Sequence, residues 1–166
     1  MLTETIQLET LRQKIEDAEY ESGNQSDYLD HGKPNPAQAK QAREMIEKLH
    51  AQSKVLREEL KQLIATVRSQ QPQALAEWTN FHVGILQKII DEKTMGTQPV
   101  ARRNVAKETL QKWEKVRAGG IEFVNINWHF LKDYKASVRT ITGGVKTTHG
   151  ASQGKTESKA WWQIWK

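Results

Sequence analysis

A stretch near the C-terminus, GASQGKT, has the residue types of a phosphate-binding loop. In that loop, two glycines separated by four residues and followed by Lys and Ser or Thr let successive backbone N–H groups surround the phosphates of a nucleotide. Here only three residues separate Gly150 from Gly154, and His149 occupies the position that should be glycine. The sequence therefore predicts a flexible basic linker at this point rather than a nucleotide site.

Metal-binding and catalytic patterns are also missing from the sequence. The five histidines are dispersed, and no two stand four residues apart, the spacing that places two metal ligands on one helical face. Asp27, Asp30 and His31 do stand close together, but turn and capping chemistry explains these residue types. The chain has no cysteine, which excludes thiolate nucleophiles and cysteine zinc sites. We therefore expect a non-enzymatic protein with no cofactor and no metal.

Cations are concentrated in the C-terminal third of the chain. Residues 100–166 carry a net charge of +8, whereas residues 1–31 carry −6. The candidates for contacts to the phosphate backbone of RNA or DNA are Arg102, Arg103, Lys107, Lys112, Lys115, Arg117, Lys146, Lys155 and Lys159. The alternative is that the basic end packs beside the acidic first helix, within one chain or between two chains.

Three tryptophans stand within five residues at the C-terminal end. Trp161, Ile164 and Trp165 would fall on one side of a short helix, with Trp162 next to them. Such a cluster is unfavourable in water, and tryptophan is favoured at the centre of interfaces. We predict that these four residues anchor the chain to a protein partner or to a second copy. The other surroundings that could bury this cluster are, in decreasing order of preference, the chain's own core, a nucleic acid and a membrane.

The most regular pattern in the chain is a heptad seam between residues 39 and 67. Its spacings alternate between three and four through Ala39, Ala42, Ile46, Leu49, Ser53, Leu56, Leu60, Leu63 and Val67. This is the apolar repeat of a coiled coil, with one polar member. Asn35 is suited to be the N-cap and Pro36 the first helical residue. The pattern predicts a long helix over 36–71 whose seam is covered either by the same chain or by a second copy.

Further helical patterns flank this long helix. We predict helices over 3–21, 73–93 and 99–118, the last ended by Gly119 and Gly120. Together they predict an all-α, elongated helical hairpin or coiled-coil-like bundle of four to five helices over residues 1–141. Residues 142–166 are predicted to be an extended basic tail that ends in the tryptophan anchor.

The segment 121–141 fits two interpretations. Val124, Ile126, Trp128 and Phe130 alternate with polar residues, as in a strand, whereas Phe123, Ile126, Phe130, Tyr134, Val138 and Ile141 recur at helical spacing. The length of the second pattern favours a fifth helix over 121–141. A lone strand would need a partner strand, which another chain could supply.

Composition limits the class of protein. No apolar run approaches the roughly 20 residues needed to cross a bilayer, so we expect a cytoplasmic protein and no membrane partner. Apolar residues make up 37% of the chain and charged residues 27%, which suits long helices with one buried stripe. The function we expect is a non-enzymatic subunit or adaptor of a larger assembly. The alternative is a nucleic-acid-binding subunit that uses the basic third.

Overall fold

The computed structural model describes residues 1–93, 96–127 and 129–143. This part of the chain folds into five helices and contains no strand, so the predicted all-α class is confirmed. The helices are α1 (Thr3–His31), α2 (Pro36–Gln70), α3 (Pro72–Ile90), α4 (Thr97–Arg117) and α5 (Lys132–Arg139). Residues 144–166, and with them nearly all of the predicted tail, lie outside the described residues.

The hairpin of α1 and α2 covers the heptad seam within the chain. Each of the nine seam residues is buried or half-buried, and α1 packs along α2 in the antiparallel direction after a short turn. Asn35 and Gln38 form a reciprocal capping box at the start of α2, and Pro36 occupies its first turn. The polar seam member, Ser53, donates a hydrogen bond to Glu19 of α1. A second copy is therefore not needed to bury the seam.

Helix α1 is ten residues longer than predicted and ends at His31 instead of residue 21. Residues 22–31 lack an apolar repeat, which is why the sequence pattern ends early. Packing against α2 nevertheless buries Ser22 and Gln25. A hydrogen bond from Gln25 to Glu21, four residues earlier, supports the same stretch. Tertiary packing here outweighs weak local helix propensity, including that of Gly23.

Helices α3 and α4 form a second pair that contributes most of the aromatic core. Trp78 of α3 and Trp113 of α4 meet edge to face, with ring centroids 4.8 Å apart. Both side chains are at most 1% exposed. As predicted, α4 ends at two glycines, and Gly119 adopts a φ of +127°. Arg68 of α2 donates to the carbonyl oxygens of Val116, Gly119 and Gly120, so it caps this helix end.

The predicted fifth helix over 121–141 is wrong in its first half. Residues 120–127 have no regular secondary structure, and α5 begins only at Lys132. The side-chain oxygen of Asn127 accepts hydrogen bonds from the backbone N–H groups of His129 and Phe130. Such a local bond competes with a continuous helix. Thr142, placed in the tail by sequence, still belongs to the body because it is buried and donates to Gln13.

Candidate functional site

The first two cations of the predicted nucleic-acid stripe are engaged inside the protein. Arg102 donates to the carbonyl oxygen of Phe130 at 2.9 Å and pairs with Glu92 at 3.3 Å. Arg103 donates to the carbonyl oxygen of Glu92 at 2.7 Å. These bonds tie the start of α4 to the end of α3 and to the segment before α5. Their guanidinium groups are therefore part of the fold.

The remaining cations of α4 lie on its surface. Lys107, Lys112 and Lys115 are exposed, and no acid in the described part of the chain forms an ion pair with them. At about 100° per residue, they fall within about 140° of the helix circumference. Arg117 is 45% exposed and pairs with Glu114 of the same helix. The structure thus leaves three lysines available on this face.

The remaining predicted site residues lie outside the described residues. They are Lys146, Lys155, Lys159, Trp161, Trp162, Ile164 and Trp165. Their roles as nucleic-acid contacts and as a partner anchor stay predictions.

Part of the charge asymmetry is matched within the chain. Lys135 of α5 pairs with Glu16 of α1 at 2.9 Å, and Arg139 of α5 pairs with Asp17. The acidic first helix therefore packs beside a portion of the basic third, the alternative that the sequence left open. These two cations are used for holding α5 on α1.

The densest group of ionisable side chains is buried, and Glu9 of α1 is at its centre. The Glu9 side chain is 0% exposed and accepts hydrogen bonds from four residues. Two donors, Arg12 and Gln13, come from α1 itself, at 2.8–3.0 Å. The other two, the indole N–H of Trp78 and Nε2 of His82, come from α3 at 2.8 Å. One carboxylate thus joins α1 to α3.

His82 extends this network to α5. Its Nε2 faces the Glu9 carboxylate, and its Nδ1 lies 2.5 Å from the hydroxyl oxygen of Tyr134. Because an ionised carboxylate can only accept, Nε2 carries the proton and donates to Glu9. The unprotonated Nδ1 then accepts from the Tyr134 hydroxyl. The Trp113 ring stacks on the imidazole at a centroid distance of 3.8 Å.

Arg12 carries the network to the non-helical segment after α4. This side chain is 1% exposed and pairs with both Glu9 and Glu16. It also donates to the carbonyl oxygen of Val124 at 3.2 Å. With Lys135 on Glu16, the cluster contains two carboxylates and two cations. It is therefore electrically neutral when His82 is neutral.

The pKa values in the cluster follow from burial and these partners. Burial alone raises the pKa of Glu9, but Arg12 and His82 outweigh it and hold that pKa well below its usual range. For Glu16, Arg12 and Lys135 outweigh burial in the same way and lower the pKa. Burial lowers the pKa of His82 below its ordinary 6.5, although Glu9 opposes it. Burial raises the pKa of Tyr134 well above 10.0.

The chain Glu9–His82–Tyr134 has the residue types of a catalytic relay, yet the structure encloses it. The three side chains are 0%, 0% and 1% exposed, and each polar group in the relay already has a protein partner. A substrate therefore has no access to the hydroxyl. The arrangement serves as a structural junction of α1, α3 and α5.

Sequence reasoning missed this cluster. Glu9, Arg12, Gln13 and Glu16 stand at helical spacing on α1, but a polar stripe of that kind normally indicates an exposed face. The stronger signal was His82, which lies on the apolar face of α3 between Trp78 and Leu86. Its hydrogen-bond partners Tyr134 and Glu9 are 52 and 73 residues away in sequence, so no local pattern could identify them.

Grooves of about 300–480 Å³ open on the described surface. A groove of about 480 Å³ lies between α1 and α2, and a Glu19–Arg57 ion pair crosses it at 2.5 Å. Among the described residues, no three His, Asp or Glu side chains are placed to bind a metal ion. None of the helices in this part of the chain is long and apolar enough to span a bilayer.

We predict that Glu9→Gln lowers the free energy of unfolding by about 3–5 kcal/mol. The substitution keeps the shape but leaves the buried Arg12 with less compensating negative charge. Chemical denaturation followed by circular dichroism measures the change. Glu47→Gln, on the exposed face of α2, is the matched control and should shift the value by no more than about 0.5 kcal/mol. Equal stabilities for the two variants would contradict the role of Glu9.

We also predict that stability falls as the pH is lowered from 7 to 5. The unfolded chain protonates His82 near 6.5, whereas the folded state keeps it neutral, so acid favours unfolding. One such proton contributes up to about 1.4 kcal/mol per pH unit. Below about 4.5, protonation of Glu9 and Glu16 in the unfolded chain removes further stability.

Denaturant titrations at several pH values measure this dependence. His82→Gln should flatten the curve between pH 5 and 7, and His50→Gln, at an exposed position, should leave it unchanged. An unaltered slope in the His82 variant would show that this histidine does not titrate as its burial requires.

Comparison with protein-family models, with curated proteins and with solved structures finds no match for this chain. The case for a function therefore comes from the geometry of the molecule. The features that bear on function are the buried polar cluster around Glu9, the exposed lysine face of α4, and the helix surfaces that lie outside the hydrophobic core.

Proposed function

We propose that the chain is a non-enzymatic, cytoplasmic helical subunit or adaptor of a larger assembly. The observation that carries this proposal is the position of the α1–α2 hairpin relative to the core. In the described part of the chain, the main hydrophobic cluster includes no residue of α1 after Ile15 and none of α2 before Leu56, and beyond it Ala18, Ala42 and Leu49 are the buried apolar residues of these two helices. Residues 19–52, which we name the arm, therefore extend beyond the core. From Pro36 to Leu56, α2 covers about 30 Å.

The surface of the arm suits contact with a protein. On its α1 side the charges are acidic, with Glu21, Asp27 and Asp30 and no Lys or Arg. On its α2 side, Lys40, Arg43 and Lys48 are exposed next to Glu44 and Glu47, and Met45 is 42% exposed. A long, narrow pair of helices that is acidic on one side and of mixed charge on the other presents a large surface area to a partner.

The C-terminal tryptophans supply the proposed anchor. The seam of α2 is already occupied by α1, so association through that seam does not enter the proposal. By their spacing in the sequence, Trp161, Ile164 and Trp165 would share one side of a helical turn, and Trp162 is adjacent. Aromatic anchors of this kind contribute most of the affinity at many interfaces.

We predict that Trp161→Ser combined with Trp165→Ser abolishes association with the partner, because it removes the two largest apolar anchors. Affinity capture followed by light scattering on the eluted complex measures the loss. Lys159→Ser with Lys166→Ser is the control for charge and should keep the complex. A monodisperse monomer at high micromolar concentration, with no co-purifying partner and no response to the tryptophan variant, would refute the proposal.

A second candidate function, nucleic-acid binding, is favoured by the three exposed lysines of α4. Lys107, Lys112 and Lys115 have no ion-pair partner among the described residues, so their charge is available to phosphates. The basic residues of the tail would extend this surface. Arg102 and Arg103 are unsuitable probes because their loss would also loosen the start of α4.

We predict that, if this candidate holds, changing Lys107, Lys112 and Lys115 together to Gln weakens binding to all sequences alike. The slope of log K against log salt should also fall by about 0.7–0.9 for each lost phosphate contact. Fluorescence anisotropy with single-stranded RNA and duplex DNA measures both effects. The control of equal charge is a triple variant of α2 in which Lys40, Lys48 and Lys54 are changed to Gln. Identical binding by the two triple variants would exclude the α4 face.

A further inference from the structure

The segment between α4 and α5 has the burial pattern of an extended chain at its centre. Residues 121–127 have no helical structure, and burial alternates from Val124 to Asn127. Val124 and Ile126 are each 1% exposed and belong to the hydrophobic core, whereas Asn125 and Asn127 are exposed. This period of two is the side-chain pattern of a β-strand.

One backbone edge of this segment is bonded to α1. The carbonyl oxygen of Val124 accepts a hydrogen bond from Arg12, and the N–H of Ile126 donates to Glu16 at 3.4 Å. In an extended chain the N–H and C=O groups of alternate residues point to the same edge. The edge formed by residues 124 and 126 is therefore directed at the side chains of α1.

The opposite edge belongs to Ile121, Phe123 and Asn125. Across residues 1–93, 96–127 and 129–143, no hydrogen bond engages the backbone N–H or C=O group of these three residues. Ile121 and Asn125 are exposed, and Phe123 is half-buried under the guanidinium of Arg57. An unpaired strand edge of this kind recruits another extended chain.

We infer that this edge pairs with the same edge of a second copy, as a two-stranded antiparallel ribbon centred on Phe123. The described chain contains no other extended segment that could pair with it, and the segment is complementary to itself. Around a twofold axis at Phe123, Ile121 faces Asn125 of the other copy and the two Phe123 residues face each other. The only charged residue of the segment, Glu122, then faces Val124 of the other copy instead of the second Glu122, so like charges do not meet.

The pairing would give hydrogen-bond partners to the free backbone groups and would form a closed assembly of two copies. Residues 121, 123 and 125 would each form a hydrogen-bonded pair, in which two residues exchange both of their bonds. A twofold contact uses the same surface on both copies, so it ends at a dimer. This inference goes beyond the proposed function, because the ribbon does not involve the tryptophan anchor.

Disulfide trapping in the full-length chain tests the register directly. The chain has no cysteine, so Ile121→Cys and Asn125→Cys can be prepared as single-cysteine proteins, each altered at an exposed position. Hydrogen-bonded antiparallel pairs have Cα atoms about 5.5 Å apart, within the range that a disulfide spans. Residues 121 of the two copies would instead be about 14 Å apart.

We expect an equal mixture of the two variants to form crosslinked dimers at least about tenfold faster than either variant alone. A mixture of Ile121→Cys with Asn104→Cys, an exposed asparagine on α4, is the matched control and should stay slow. Crosslinking that is no faster in the 121/125 mixture than in the separate samples or in the control overturns the inference. Repeating the trap in the Trp161→Ser, Trp165→Ser background separates the two proposals, since the ribbon should persist without the anchor.

Discussion

The described fold depends on one carboxylate that has been taken out of water. Glu9 accepts hydrogen bonds from Arg12, Gln13, Trp78 and His82. His82 in turn is hydrogen-bonded to Tyr134 of α5. Two helices separated by about 70 residues in sequence are therefore joined at a single side chain. Burying such a charge is costly unless every lone pair is used, and here the available donors surround it.

The neutrality of the cluster explains how several charged groups can lie in one helical core. Two carboxylates are balanced by Arg12 and Lys135, and His82 stays uncharged between Glu9 and Tyr134. Replacing one member leaves another unpaired, so the groups act as a unit. The cluster thereby favours the observed arrangement of α1, α3 and α5, in which Glu9 receives donors from both α1 and α3 and His82 reaches Tyr134. The non-helical segment after α4 joins the same unit through Arg12 and Glu16.

Sequence reasoning succeeded where local chemistry decides the structure. The heptad seam, Asn35 and Pro36 predicted α2 closely, and the glycines at 119 and 120 predicted the end of α4. It failed where distant partners decide: α1 continues past residue 21 because α2 covers it, and residues 121–127 are not helical, with Val124 and Ile126 buried in the core. Glu9 and His82 were not recognised for the same reason, since only the fold brings them together.

The most direct test of this account is the protonation state of His82, read from the ring nitrogen shifts of ¹⁵N-histidine-labelled protein by nuclear magnetic resonance. At neutral pH the network requires a neutral imidazole with its proton on Nε2, which donates to Glu9, and a bare Nδ1, which accepts from Tyr134. We expect that tautomer to persist below the ordinary pKa of 6.5. A proton on Nδ1 alone would contradict the central role of the Glu9 carboxylate, and a doubly protonated ring at pH 7 would contradict the neutrality of the cluster.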